Sequence, residues 1–108
     1  MERGDLVTVA VSGDYGKPRP ALVIQTDHLP ETDSVLVCLL TTAVRDAPLF
    51  RFPIPAGDET GLLQPSQVMV DKIMAVRRDR CGRRIGKVDP ATMLALNRLL
   101  AFVVGETG

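Results

Sequence analysis

Residues 16–44 read GKPRPALVIQTDHLPETDSVLVCLLTTAV, and the succession of apolar and polar segments within them decides the fold class. Two runs rich in Val, Ile and Leu, at 21–25 and 35–40, flank the polar segment TDHLPETD. Apolar runs this short, bounded by turn-forming residues, read as β-strands. Upstream, DLVTVAV gives a further strand at 5–11, joined to the next by SGDYGKPRP. That segment reads as a turn-rich loop whose glycines permit positive φ and whose prolines stiffen the approach to 21–25. Downstream, the same pattern predicts strands at 49–54, 67–70 and 73–77. Six short strands at this spacing make a mainly β chain and suit a small barrel.

The last quarter changes character. Asp89 can cap the free N–H groups of a first helical turn, and Pro90 suits the first helical position. Met93, Leu96, Leu100 and Val103 then recur at three- and four-residue spacing, with Leu94, Leu99 and Phe102 widening the apolar side and Gly105 supplying a stop. This helix is expected to cover one opening of a barrel or to lie in a dimer interface.

At 108 residues, with no Ser-rich, repetitive or long polar tract, the chain is expected to be one domain, 1–108. Hydrophobic residues make up 45%, but with three Phe, one Tyr and no Trp the core falls to aliphatic side chains, and a domain this small gains from dimerising. MERGDLVTVAV is too charged for a signal peptide and the late apolar stretch is broken by Arg98, so a cytoplasmic protein without membrane contact is expected. Cys38, inside VLVCLL, and Cys81, in an Arg/Gly segment, have no ligand spacing around them and read as free thiols. Thirteen basic and thirteen acidic residues give a net charge of zero, yet Arg77, Arg78, Arg80, Arg83 and Arg84 form a local basic cluster. The segment 77–84 reads either as a source of phosphate contacts or as a solvated hairpin or loop.

His28 is the only histidine, so neither a two-histidine ribonuclease mechanism nor a histidine-rich metal site can be built within one chain. Phosphate-binding glycine loops, nucleophile elbows and CxxC pairs are absent from the sequence. What stands out is Arg19, held between Pro18 and Pro20. The following proline drives it into an extended conformation at the mouth of a strand. Arg19 reads either as a surface arginine in a Pro-rich turn or as a functional group, whose planar, charged guanidinium can hold a phosphate through two N–H groups and stabilise a phosphorane-like transition state. Thr41 and Thr42, directly after VLVCLL, place two hydroxyls at a strand end, where they serve either as donors to phosphate oxygens or simply as good strand formers.

In order, RGDLVTVAV, KPRPALVIQ, LLTTAV followed by PLFRFPI, QPSQVMVDKIMAV, and IGKVDPATMLALNRLLAFVVG resemble the successive segments of the MazF/PemK toxin family over essentially the whole chain. The resemblance implies an SH3-like barrel of the CcdB/MazF type with a C-terminal helix, forming a homodimer with an RNA groove across or beside the interface. It implies a sequence-specific endoribonuclease, free of metal and cofactor, in which the ribose 2′-OH attacks the adjacent phosphate of single-stranded RNA. Arg19 and Thr41 match the family's catalytic positions. Asp14, Lys17, Thr42, Arg77 and Arg78 are the expected substrate contacts, Asp14 occupying the place of an acidic loop residue. An acidic antitoxin of the MazE kind is the expected partner. SGDYGK departs from the family's commoner Ser-Glu-Gln-like stretch, so RNA sequence preference does not transfer. Because the same barrel serves CcdB-like gyrase poisons, non-catalytic binding to DNA gyrase is the alternative.

Overall fold

A computed structural model describes residues 1–11 and 17–106. Its elements are β1 Asp5–Ala10, β2 Pro18–Val23, β3 Ser34–Thr41, β4 Arg51–Ile54, β5 Ser66–Arg77, a 3₁₀ turn Arg78–Arg80, β6 Cys81–Lys87 and helix α1 Pro90–Val103. The strands form one sheet in the order β4-β5-β3-β2-β1-β6, and every paired neighbour is antiparallel.

The connectivity shows that this sheet is rolled. β5 and β6 stand four strand spacings apart in the order, about 19 Å in a flat sheet. Only the turn Arg78–Arg80 joins them, and four Cα steps span at most about 14 Å. The sheet therefore curls until its β5 and β6 portions approach one another, as the expected small barrel requires.

Rolling buries both faces of the central strands, which is why their sequences are nearly continuous apolar runs. On one face Leu6, Leu22, Cys38, Leu40 and Val68 pack with Met93 and Leu96 of α1. On the other, Val7, Val9, Ala21, Val23, Val35 and Val37 pack with Val76 of β5. The helix is capped as predicted, the Asp89 carboxylate accepting from the Thr92 N–H at 2.7 Å with Pro90 at its start. Leu94 and Phe102, expected on the apolar side, are 58% and 47% exposed, so the buried stripe is narrower than the composition suggested. Among the described residues no helix is long and apolar enough to cross a membrane.

Three strand boundaries differ from the sequence reading. Pro18, Arg19 and Pro20 belong to β2 and pair with β1, since a strand can begin with prolines where the missing N–H is not needed by the ladder. The expected strands 67–70 and 73–77 are one strand, whose pairing with β3 jumps from Leu40↔Val68 to Cys38↔Ile73 and so accommodates a bend around Asp71-Lys72. The segment 77–84 is neither plain loop nor hairpin: it holds the 3₁₀ turn and the start of β6.

β6 is held by the connection between β4 and β5. Lys87 N–H donates to the Glu59 carbonyl at 2.9 Å. A Cβ on Gly86 would sit 2.2 Å from the Thr60 carbonyl carbon, and one on Gly61, at φ +72°, 1.9 Å from the Ile85 carbonyl oxygen. Backbone meets backbone here, and only glycine permits it.

Candidate active site

Arg19 and Thr41 come together through strand register. β2 and β3 pair as Val23↔Val37, Leu22↔Cys38 and Ala21↔Leu39. The ladder ends at Ala21↔Leu39, two residues short of Arg19 on one strand and of Thr41 on the other, and Pro20 has no N–H to extend it. Arg19 pairs with Val9 of β1, and Thr41 with Gln67 of β5. An exposed arginine and a half-buried threonine thus stand just beyond the same end of the β2–β3 ladder. The Thr41 Oγ accepts from the Ala43 N–H at 3.1 Å, and among the described residues its own hydrogen has no acceptor, leaving it to donate to a substrate oxygen.

The other expected contacts are distributed unequally. Lys17 is exposed immediately before β2. Thr42 is exposed and lines a cleft of about 280 Å³ with Thr8, Pro18, Pro20 and Leu63. Asp14 lies outside the described residues. Arg77 pairs with Ser34, at the opposite end of β3 from Thr41, and its guanidinium donates to Asp79. Arg78 is occupied in structure: its side chain donates to the Thr32 and Leu29 carbonyls and its N–H to that of Asp33, strapping down the 24–33 connection. Arg84 bonds the Asp5 carboxylate at 3.0 Å. The basic cluster thus divides, with Arg80 and Arg83 exposed and making no ion pair among the described residues.

Two functional neighbours escaped the sequence reading. Gln67, 7% exposed, grips the connection after Thr41: its amide nitrogen donates to the Arg45 carbonyl at 2.9 Å and its oxygen accepts from the Arg45 N–H at 3.2 Å. The same oxygen accepts from the guanidinium of Arg51, which is itself 8% exposed and also reaches the Ala43 carbonyl, each at 3.4 Å. Among the described residues, Arg51 Nε is buried without a partner. Gln67 follows Ser66 at the polar start of β5, where the sequence carries no sign that it is buried.

Thiol chemistry does not fit this site. Burial, reinforced by the negative charge of Asp71, pushes the Cys38 thiol up to about 12, and burial also raises that of Cys81. Both cysteines are free. Among the described residues no three His, Cys, Asp or Glu side chains converge to hold a metal ion. What the site offers is a fixed cation, a hydroxyl donor and an exposed approach, a combination suited to stabilising a phosphate whose charge grows during reaction.

Comparison with known proteins gives this geometry a context. The family described as PemK-like, MazF-like toxin of type II toxin-antitoxin system matches residues 2–104. A probable endoribonuclease MazF of Mycolicibacterium smegmatis is 41% identical over 109 residues, covering the whole of both chains. Among solved structures, the Mycobacterium tuberculosis toxin MazF-mt6 superposes with a TM-score of 0.79 at 26% identity, over 93% of this chain and 95% of that one. A mycobacterial endoribonuclease in complex with its cognate antitoxin gives 0.79 and 26%, over 97% of this chain and 95% of that one.

Proposed function

Since the chain belongs to the PemK-like, MazF-like toxin family of type II toxin-antitoxin systems, we propose that it is a toxin endoribonuclease acting on single-stranded RNA. The ribose 2′-OH attacks the adjacent phosphorus and loses its proton to solvent. The bond from phosphorus to the 5′-oxygen breaks and that oxygen takes up a proton, leaving a 2′,3′-cyclic phosphate and a 5′-hydroxyl. Arg19 stabilises the charge gathering on the non-bridging oxygens, and Thr41 donates its hydroxyl hydrogen to one of them. Arg19 works by charge rather than proton transfer, because a guanidinium holds its proton too firmly to serve as a base. No metal takes part in this reading, and cleavage is sequence-specific.

The observation that supports the proposal is the β2–β3 ladder, whose end at Ala21↔Leu39 leaves Arg19 and Thr41 each two residues beyond it on neighbouring strands. Lys17, Thr42 and Asp14 flank that point in the sequence and are read as substrate contacts. Arg77 and Arg78 serve less directly, by shaping the basic turn before β6. The chain acts as one domain, 1–108, in the cytoplasm, as a homodimer. An acidic antitoxin of the MazE kind neutralises it, drawn by Arg19, Arg80 and Arg83. The family match sets aside the gyrase-poison alternative.

The test is cleavage of single-stranded RNA by purified protein in EDTA, with the new ends mapped and their phosphates identified. Arg19→Ala is expected to lower the rate by on the order of 10²–10³-fold while the protein stays folded. A folded Arg19→Ala variant that cleaves at the normal rate overturns the site assignment.

A further inference from the structure

The connection between β3 and β4, residues 42–50, is built more firmly than a surface loop requires. Val44 N–H donates to the Thr42 carbonyl at 3.0 Å, and Phe50 and Arg51 N–H both donate to that of Ala47, at 3.1 and 2.8 Å. The Phe50 carbonyl accepts from Val70 N–H at 3.0 Å, pinning the end of the connection to β5. In the middle, both backbone groups of Arg45 are held by the buried Gln67 amide. On this frame the Arg45 side chain lies over the Phe50 ring, with its guanidinium carbon 5.3 Å from the ring centroid. Arg45 is exposed and forms no ion pair among the described residues.

A planar cation lying over an aromatic ring on an exposed residue can serve as a stacking surface. Bases of single-stranded RNA are bound by stacking on such guanidinium planes and on aromatic rings. Its place also fits. Gln67, which holds the Arg45 backbone, pairs directly with Thr41, and paired residues stand about 5 Å apart between Cβ atoms. One buried side chain therefore links the exposed plane to the strand end bearing the Thr41 hydroxyl.

We propose that Arg45, backed by Phe50 and anchored through Gln67, is a stacking platform for one base of the RNA substrate close to the scissile phosphate. The inference rests on the ribonuclease reading and deepens it, assigning a base-binding position that the chemistry of cleavage does not require. Stacking tolerates any base, so the platform contributes to substrate affinity and alignment more than to the choice of sequence.

The experiment moves a single abasic position along a cleaved oligonucleotide and measures kcat/KM for the wild type, Arg45→Ala and Arg45→Lys. For the wild type, one abasic position beside the cleaved bond is expected to lower kcat/KM by roughly five- to a hundredfold. Arg45→Ala is expected to show a similar loss on the intact oligonucleotide and no further loss at that abasic position, the non-additivity that marks direct contact. Arg45→Lys keeps the charge but loses the plane, so it should behave like Arg45→Ala. Losses that simply multiply, or full activity in Arg45→Lys, overturn the platform. Binding of an oligonucleotide with a 2′-deoxy residue at the cleaved position, followed by fluorescence anisotropy, gives a readout independent of chemistry. Wild-type protein that neither cleaves nor binds overturns the ribonuclease reading as well, whereas cleavage with multiplying losses overturns the platform alone.

Discussion

Replacing Gln67 by Ala removes three hydrogen bonds at once, two with the Arg45 backbone and one from the Arg51 guanidinium. A neutral hydrogen bond contributes about 1 kcal/mol net, and one from a charged donor about 1.5 kcal/mol at the low end of its range, which suits a contact as long as 3.4 Å. The sum is about 3.5 kcal/mol, and access of water to the exposed Arg45 backbone reduces it to about 3 kcal/mol. At about 4 °C per kcal/mol for a domain of this size, the melting temperature should fall by roughly 12 °C. Thermal and urea unfolding at one fixed protein concentration measure this, since self-association would add a concentration-dependent contribution. Gln67→Glu keeps an acceptor for the Arg45 N–H and for Arg51 while losing the donor to the Arg45 carbonyl, so it should recover about half of the loss. A Gln67→Ala protein within about 1 kcal/mol of wild type, or a Gln67→Glu protein no better than it, would refute the clamp.

Other perturbations test separate parts of the structure. Gly86→Ala should destabilise by about 3 kcal/mol in urea melts, the upper end of the usual cost, because the new methyl meets the Thr60 backbone rather than a movable side chain. Leu96→Ala, at a fully buried position on α1, should cost about 2–5 kcal/mol, whereas Leu94→Ala, 58% exposed, should change stability by less than about 0.5 kcal/mol. Hydrogen bonds from Thr92, its side chain first and its backbone second, hold the Asp89 carboxyl below its ordinary range. The folded-state value is thus the lower one, so the cap's contribution is complete above the unfolded value near 3.9 and is lost as pH falls through the folded value. Melting temperatures between about pH 6 and pH 2 should fall less steeply for Asp89→Asn, which still caps but does not titrate there.

The parts of the fold that could be read from sequence are those where burial and local chemistry agree. LVTVAV, ALVIQ and VLVCLL mark β1, β2 and β3 because both faces of these strands are covered. Asp89-Pro90 marks the start of α1 because the cap is a local interaction. β6 was missed because CGRRIGK carries glycines and arginines in place of a strand composition, and the reason lies elsewhere in the chain: Gly86 must let the Thr60 backbone approach. Asp71-Lys72 looked like a break between two strands and is a bend within one. In the site, Arg19 could be singled out from its flanking prolines and Thr41 from its strand end. Their juxtaposition could not, since it depends on the β2–β3 register. Gln67 and Arg51 stayed hidden for a related reason, because their partners lie 22 and 16 residues away or are backbone atoms of a connection without sequence pattern.

The pairing of β1 with β6 also governs when this molecule can come into being. Asp5 faces Lys87 and Val9 faces Cys81, so β1 must wait for a strand made about seventy residues later before that edge is covered. At about 5–20 residues per second, a nascent chain spends several seconds with the β1 edge open to pairing with other chains. A chain interrupted before residue 81 cannot close its sheet at all, whatever the state of β2 and β3. Products truncated there should therefore be insoluble or degraded, and the closed sheet forms only once residue 87 has been made.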